Sequence, residues 1–398
     1  MYTISFFLQK CKVEIDTSDK IVYNGKTNFH REGAFVISVI FDRRQLHQIP
    51  ELDRQLPETL AYLTGRLEGL GCRLFAPVEG SLCAWFDFGC EKAIAFRADM
   101  DALPITEKTD AAYASRHPGR MHACGHDGHM AIGLELARRL SRKKHLNRNI
   151  LLVFQSAEET TGGAKDLCKT GIFETYQVEA IFGLHLWPGL SKGKIFSKPG
   201  PMMSRSAELD VDIYGKSAHI GRSWEGIDSM EIACIYLREA YDMERSIHPN
   251  TPRLLKFGKL ESGTVRNAIS AHTRLEGGLR AFSDNVFFWM QNRLIQIGKE
   301  LEKRFGCTVK VHTSTGYPAV DNPQALHDKV YAIAPFESLE EPSMTTEDFS
   351  WYQRFLPGMF FFLGLGDGPA LHSDKFDFDE SVLTVGADFF EKILEGWR

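Results

Sequence analysis

The 398-residue sequence contains no apolar run approaching the roughly 20 residues that a membrane-crossing helix needs, so no span is expected. It has no basic excess either: 47 Lys+Arg stand against 52 Asp+Glu, a formal charge of −5. Basic clusters are limited to short runs such as Arg142-Lys143-Lys144, which excludes a general nucleic-acid binder. The eight cysteines lack a framework spacing, which fits reduced thiols in a cytoplasmic protein better than disulfides. Repeats and low-complexity linkers are missing, and the apolar patch at residues 4–8 is followed by charges rather than a small-residue cleavage site. What remains is ordinary globular composition, 43% hydrophobic and 25% charged, at a length suited to about two domains.

Along the chain, the apolar run at 35–41 predicts a buried strand. Leu46, Leu56, Leu60, Leu63, Leu67 and Leu70 predict helix over 43–71, with Gly71 as the stop. Short apolar segments at 82–88, 93–97, 150–155 and 180–185 then alternate with helical patterns at 129–140 and 163–168. That alternation predicts an α/β fold, a mostly parallel sheet sandwiched by helices, with chemistry at the carboxyl ends of the strands. Residues 204–313 read differently, with strands near 207–214, 253–260, 271–282 and 308–313 and helices near 228–248 and 285–305. They form an α+β insert between two parts of a catalytic domain, 43–203 and 314–398. The second part carries a Phe-rich strand at 359–363 and a closing helix at 382–397. Residues 1–42 are an extension of unknown role that includes the first strand.

The densest chemical signal is Met121-His122-Ala123-Cys124-Gly125-His126-Asp127-Gly128-His129, which offers three imidazoles and a thiol, the donors preferred by zinc-like ions. Taken alone it is equally a histidine-rich turn. Further groups follow predicted strands: Asp99 and Asp101, Glu158 and Glu159, His185, and His372 after a glycine-rich turn. Each has an ordinary explanation as a helix cap, a solvated acid or a core histidine. Together they suit two metal ions sharing one bridging ligand, for which a thiolate qualifies. Glu158 and Glu159 are adjacent and face different ways, so one can bind metal while the other faces water as a general base.

With those residues in view, the sequence from about 43 to 398 resembles the metal-dependent aminoacylase/carboxypeptidase amidohydrolase family. The branch is that of hippurate hydrolase, N-acetyldiaminopimelate deacetylase and indole-acetyl-amino-acid hydrolase. The motifs occur in order: Leu46-His47-Gln48-Ile49-Pro50-Glu51-Leu52, Arg97-Ala98-Asp99-Met100-Asp101-Ala102-Leu103-Pro104, residues 121–129, Ala157-Glu158-Glu159, His185-Leu186-Trp187-Pro188, Glu347-Asp348-Phe349 and Leu371-His372-Ser373. The resemblance implies that Cys124 bridges two divalent metal ions, with His126, Glu159, His185 and His372 completing their shells. It makes Glu158 the catalytic base and Asp101 the acid that orients a metal-bound imidazole. The relatives use manganese or zinc, and some accept cobalt or nickel. The insert resembles a lid or dimerisation domain, where Tyr214-Gly215-Lys216-Ser217-Ala218-His219 matches a turn whose histidine reaches the neighbouring subunit's site. A homodimer with His219 stabilising the oxyanion is therefore implied. Asn267 and Arg280 match groups that hold the substrate, and an arginine fork suits a carboxylate. After His219, Arg222-Ser223-Trp224-Glu225 replaces the relatives' Pro-His pair, and residues 1–40 match nothing in them.

The implied function is metal-dependent hydrolysis of the amide bond of N-acyl-amino acids, with Glu158 as base toward the attacking water and proton donor to the leaving amine. The alternatives are a carboxypeptidase or dipeptidase acting on small peptides, a non-catalytic binder of N-acyl-amino acids, and an enzyme using Cys124 as a covalent nucleophile.

Overall fold

The computed structural model describes residues 14–15, 21–22 and 31–398, with side chains from Ser38 onward. Most of the expected extension of residues 1–40 lies outside them. The expected strand at 35–41 is instead part of a helix, Arg31–His47. Its buried side chains are Val39, Asp42, Arg43, Leu46 and His47, a spacing of three and four residues that marks one helical face. Three of those five, Asp42, Arg43 and His47, are polar or charged, which hid the period from an apolar-residue reading. Arg43 is buried because Asp127 at 2.8 Å and Asp377 at 2.9 Å surround its guanidinium. The single helix expected over 43–71 is two helices. The first ends at His47 and the second, Pro57–Leu67, starts on a proline that needs no hydrogen-bond acceptor in the first turn.

The larger sheet has eight strands, in the order Glu337–Ser338, Ile195–Ser197, Gly358–Gly366, Val178–Pro188, Ala93–Asp99, Asn149–Gln155, Leu82–Phe86 and Arg73–Phe75. The four central strands, Gly358–Gly366 to Asn149–Gln155, are mutually parallel, and antiparallel neighbours flank them on both sides. Their sequences are mostly apolar because both sheet faces are covered, with Arg97 and His185 among the polar exceptions. Along Gly358–Gly366, Phe361 and Leu363 enter the core under the helices His126–Leu140 and Leu383–Gly396. Phe360 and Phe362 enter the opposite core, shared with Leu167 and Tyr352.

The segment from Arg205 to Thr313 builds a separate four-stranded antiparallel sheet in the order Arg253–Ser262, His272–Ala281, Arg205–Tyr214 and Thr308–Thr313. Ala207, Leu209, Val211 and Ile213 are buried on one face and alternate with Glu208, Asp210, Asp212 and Tyr214. Two helices cover the apolar face, Ser229–Ser246 and Asp284–Phe305. Asp228 caps the first by accepting from the Met230 amide, and Gly306 closes the second in the left-handed conformation.

Candidate metal centre

The carboxyl ends of the parallel strands converge on one open cavity of about 950 Å³, which residues of the Arg205–Thr313 unit also line. His185 lies near the end of Val178–Pro188, opposite Phe362. Glu158 and Glu159 follow Asn149–Gln155, and His372 follows Gly358–Gly366. Cys124 sits just before the helix His126–Leu140. The turn between them depends on Gly125, whose φ of 85° lies in the left-handed region and whose missing Cβ leaves room for Leu186.

Cys124 belongs to two groups of donor atoms in which every pair lies within 4.8 Å: Cys124, His126 and His185, and Cys124, Glu159 and His372. Its Sγ is 3.3 Å from His185 Nε2. The two buried imidazoles are held in the same way. His126 Nδ1 is 2.7 Å from the Asp101 carbonyl and His185 Nδ1 is 2.7 Å from the Leu186 carbonyl. A carbonyl only accepts, so both Nδ1 atoms carry the proton and both Nε2 lone pairs are left for a cation. His126 Nε2 and Glu159 Oε1 are buried without a hydrogen-bond partner, 3.8 Å apart. Glu159 Oε1 is also 3.4 Å from His372 Nε2. His372 occupies the left-handed region at φ 65° with its amide bonded to the Ala123 carbonyl, so the backbone that presents it is anchored beside Cys124.

The electrostatics fit a cation. Burial pushes the Cys124 thiol well up, and the Glu159 and Glu158 carboxylates push it further, so thiolate formation here needs a positive charge alongside. Burial lowers His126, but Asp99, Glu159 and Asp101 outweigh it and leave this imidazole raised. Burial together with the nearby His129 holds His185 well below its usual range, in the neutral form that binds metal. The donor set of one thiol, three imidazoles and one carboxylate suits borderline divalent ions.

Not every sequence candidate presents a donor. His129 uses both ring nitrogens, Nδ1 to Asp99 at 2.5 Å and Nε2 to the Leu186 amide at 2.9 Å. Asp99 in turn pairs with Arg97 at 2.6 Å. His122 is buried in no donor group, and burial lowers its pKa to about 3. Asp101 meets an imidazole through its main chain: its carbonyl bonds His126 while its carboxylate stands 4.0 Å off. The carboxylate instead accepts the amides of Glu158 at 2.9 Å and Glu159 at 3.1 Å. Glu158 faces the same cavity; burial, Glu347 and Glu159 push its pKa well above the usual carboxylate range. Arg280 is half-buried in the cavity wall and bonds the Met344 carbonyl. His219 and Asn267 are exposed, sit together on the second unit, and are not among the lining residues.

Some lining residues were given no role from the sequence, among them Tyr317, Glu347, Lys165 and Trp351. Tyr317 donates its hydroxyl to the Glu158 carbonyl, Glu347 packs between Arg97 and Glu158, and Lys165 lies over the Trp351 ring. Of these, only Glu347 left a trace in the sequence, in its Glu347-Asp348-Phe349 motif.

Residues 95–396 match Peptidase family M20/M25/M40. Among curated proteins, N-acetyldiaminopimelate deacetylase of Lacticaseibacillus casei is 32% identical over 375 residues, covering 89% of this chain and 96% of its own. The protein of that name from Listeria monocytogenes is 33% identical over 367 residues, covering 89% and 97%. Among solved structures, a dinuclear metal-binding peptidase of the M20 family from Bacillus subtilis superposes with a TM-score of 0.81 at 28% identity, covering 91% of this chain and 98% of that one. The mostly parallel sheet covered on both faces, the thiol shared by two donor groups and these likenesses agree, and the chain belongs to peptidase family M20/M25/M40 as a metal-dependent hydrolase.

Proposed function

We propose that the protein hydrolyses the amide bond between an acyl group and an amino acid with a free carboxylate. The observation that carries this reading is the place of Cys124 in both donor groups, with Glu158 beside them on a cavity that also exposes Arg280. Cys124, His126, His185, Glu159 and His372 would hold two divalent ions, manganese or zinc, with Cys124 common to both donor groups. Divalent ions held there supply Lewis acidity and lower the pKa of a water molecule. Glu158 takes the proton from the attacking water and delivers it to the leaving nitrogen. Asp101 fixes the backbone of Glu158 and Glu159 through its two amide bonds. Arg280 faces the substrate carboxylate. His219 and Asn267, exposed and outside the cavity, act on the site of a second copy, so the working unit is a homodimer. The described cysteines are all free, which suits a reducing cytoplasmic setting.

The test is a panel of N-acetyl, N-benzoyl and dipeptide substrates, given to chelator-stripped protein and to protein reloaded with manganese or zinc. Activity on N-acyl-amino acids should disappear on stripping and return on reloading. The Glu158→Gln protein should lose roughly 10²–10⁴-fold in kcat with its metal content intact. Near-normal turnover in that variant, or hydrolysis restricted to dipeptides, overturns the reading.

A further inference from the structure

Two cations line the catalytic cavity, and they enter from different units of the fold. Arg280 comes from the strand His272–Ala281 and Lys165 from the helix Gly163–Lys169. Neither pairs with a carboxylate among the described residues, although Glu158, Glu159, Glu208 and Glu347 line the same space. Arg280 spends one N–H on the Met344 carbonyl. Lys165 is half-buried, with its Nζ 4.2 Å from the centroid of the Trp351 ring. That ring face holds the ammonium by its quadrupole and leaves its N–H donors undirected. A partly desolvated ammonium without a counterion, on the wall of a substrate cavity, gains from an anion that the substrate brings.

One anionic group answers Arg280 under the reading proposed above, on which this inference rests. We propose that Lys165 and Trp351 form a second anion subsite, and that the preferred substrates are N-acyl-amino acids carrying a further carboxylate away from the scissile amide. That carboxylate can belong to the amino-acid side chain or to the acyl group; both offer the same recognition chemistry. Trp351 positions the ammonium and packs on the apolar stem of whichever chain carries the acid.

Matched substrates differing in one charge test this with the full-length, metal-loaded protein. N-acetylglutamate against N-acetylglutamine probes the side chain, and N-succinylmethionine against N-butanoylmethionine probes the acyl group. One of the two pairs should show at least about a tenfold preference for the acid, expressed in KM and eroded by salt. The Lys165→Met protein should bring that ratio close to one, Lys165→Arg should keep it, and Lys165→Glu should reverse it. No preference in either pair, or a Lys165→Met protein that slows both members alike and keeps the ratio, overturns the subsite.

Calorimetry of the same ligands with the Glu158→Gln protein separates the two proposals. Acid-selective binding that depends on Lys165, without hydrolysis by the parent protein, upholds the subsite and overturns the proposed reaction. Equal hydrolysis of acid and amide does the reverse, and no binding by any member overturns both.

Discussion

The Tyr317 hydroxyl donates to the main-chain carbonyl of Glu158 at 2.7 Å, which ties the segment leaving the second unit to the loop that holds the proposed base. That loop turns through Ala157 at φ 59°, a conformation that costs energy for a residue with a Cβ and needs surrounding support. Asp101 supplies support at the two amides and Tyr317 supplies it at the carbonyl. Tyr317→Phe removes one hydrogen bond, so it should cost roughly 0.5–1.5 kcal/mol of stability. It should lower kcat on the order of tenfold through a displaced base, with KM and bound metal little changed. Steady-state kinetics with metal analysis check this, and an unchanged kcat removes Tyr317 from the positioning of Glu158.

Because Cys124 is common to both donor groups, Cys124→Ala should weaken both ions together, whereas His372→Ala should weaken one. Elemental analysis after dialysis against a graded chelator series reads the difference. Equal losses in the two variants are incompatible with a shared thiolate.

The dimer reading predicts complementation. Glu158→Gln and His219→Ala proteins should each be nearly inactive, while random reassortment of a 1:1 mixture should recover about a quarter of the parent activity. In mixed dimers one site receives both intact groups. Recovery that stays at zero after verified subunit exchange argues that His219 serves no neighbouring site.

Alkaline stability should depend on His47. This buried imidazole lies 2.7 Å from Asp127 and 3.2 Å from Glu107. Burial lowers its pKa, but Asp127 and Glu107 outweigh that and raise it from 6.5 to about 9. A raised folded pKa means that the stabilisation is complete below about 6.5 and lost as the pH climbs through about 9, on the order of 3 kcal/mol. Asp127 has the opposite sign: its depressed pKa makes its contribution vanish only as the pH falls into the acid range. Urea unfolding between pH 6 and 9.5 should show wild type well above His47→Gln at the lower end and converging with it at the upper end. A gap that does not narrow is inconsistent with a charged His47.

Most strands of the larger sheet and the candidate metal donors were legible in the sequence because both depend on local identity. A strand with both faces covered is largely apolar, as Gly358–Gly366 is, and a site for borderline divalent ions draws on thiol, imidazole and carboxylate. The helix Arg31–His47 was illegible because Arg43 and Asp42 occupy its buried face, and only partners distant in the chain, Asp127 and Asp377 among them, make that burial possible.

Within residues 121–129 the residue types supplied three imidazoles without ranking them, and only the family resemblance singled out His126. Their ranking depends on where main-chain carbonyls and amides fall: the Asp101 carbonyl frees His126 Nε2, while the Leu186 amide occupies His129 Nε2. Tyr317 and Lys165 carry no motif and acquire their roles from what the chain brings near them, Tyr317 across 159 residues to Glu158. The sequence by itself determined which chemistries were present and which segments had to be buried. The tertiary structure decided which lone pairs stayed free and which charges stayed unpaired, because a hydrogen bond or an ion pair depends on distance and direction in space, and separation along the chain sets neither.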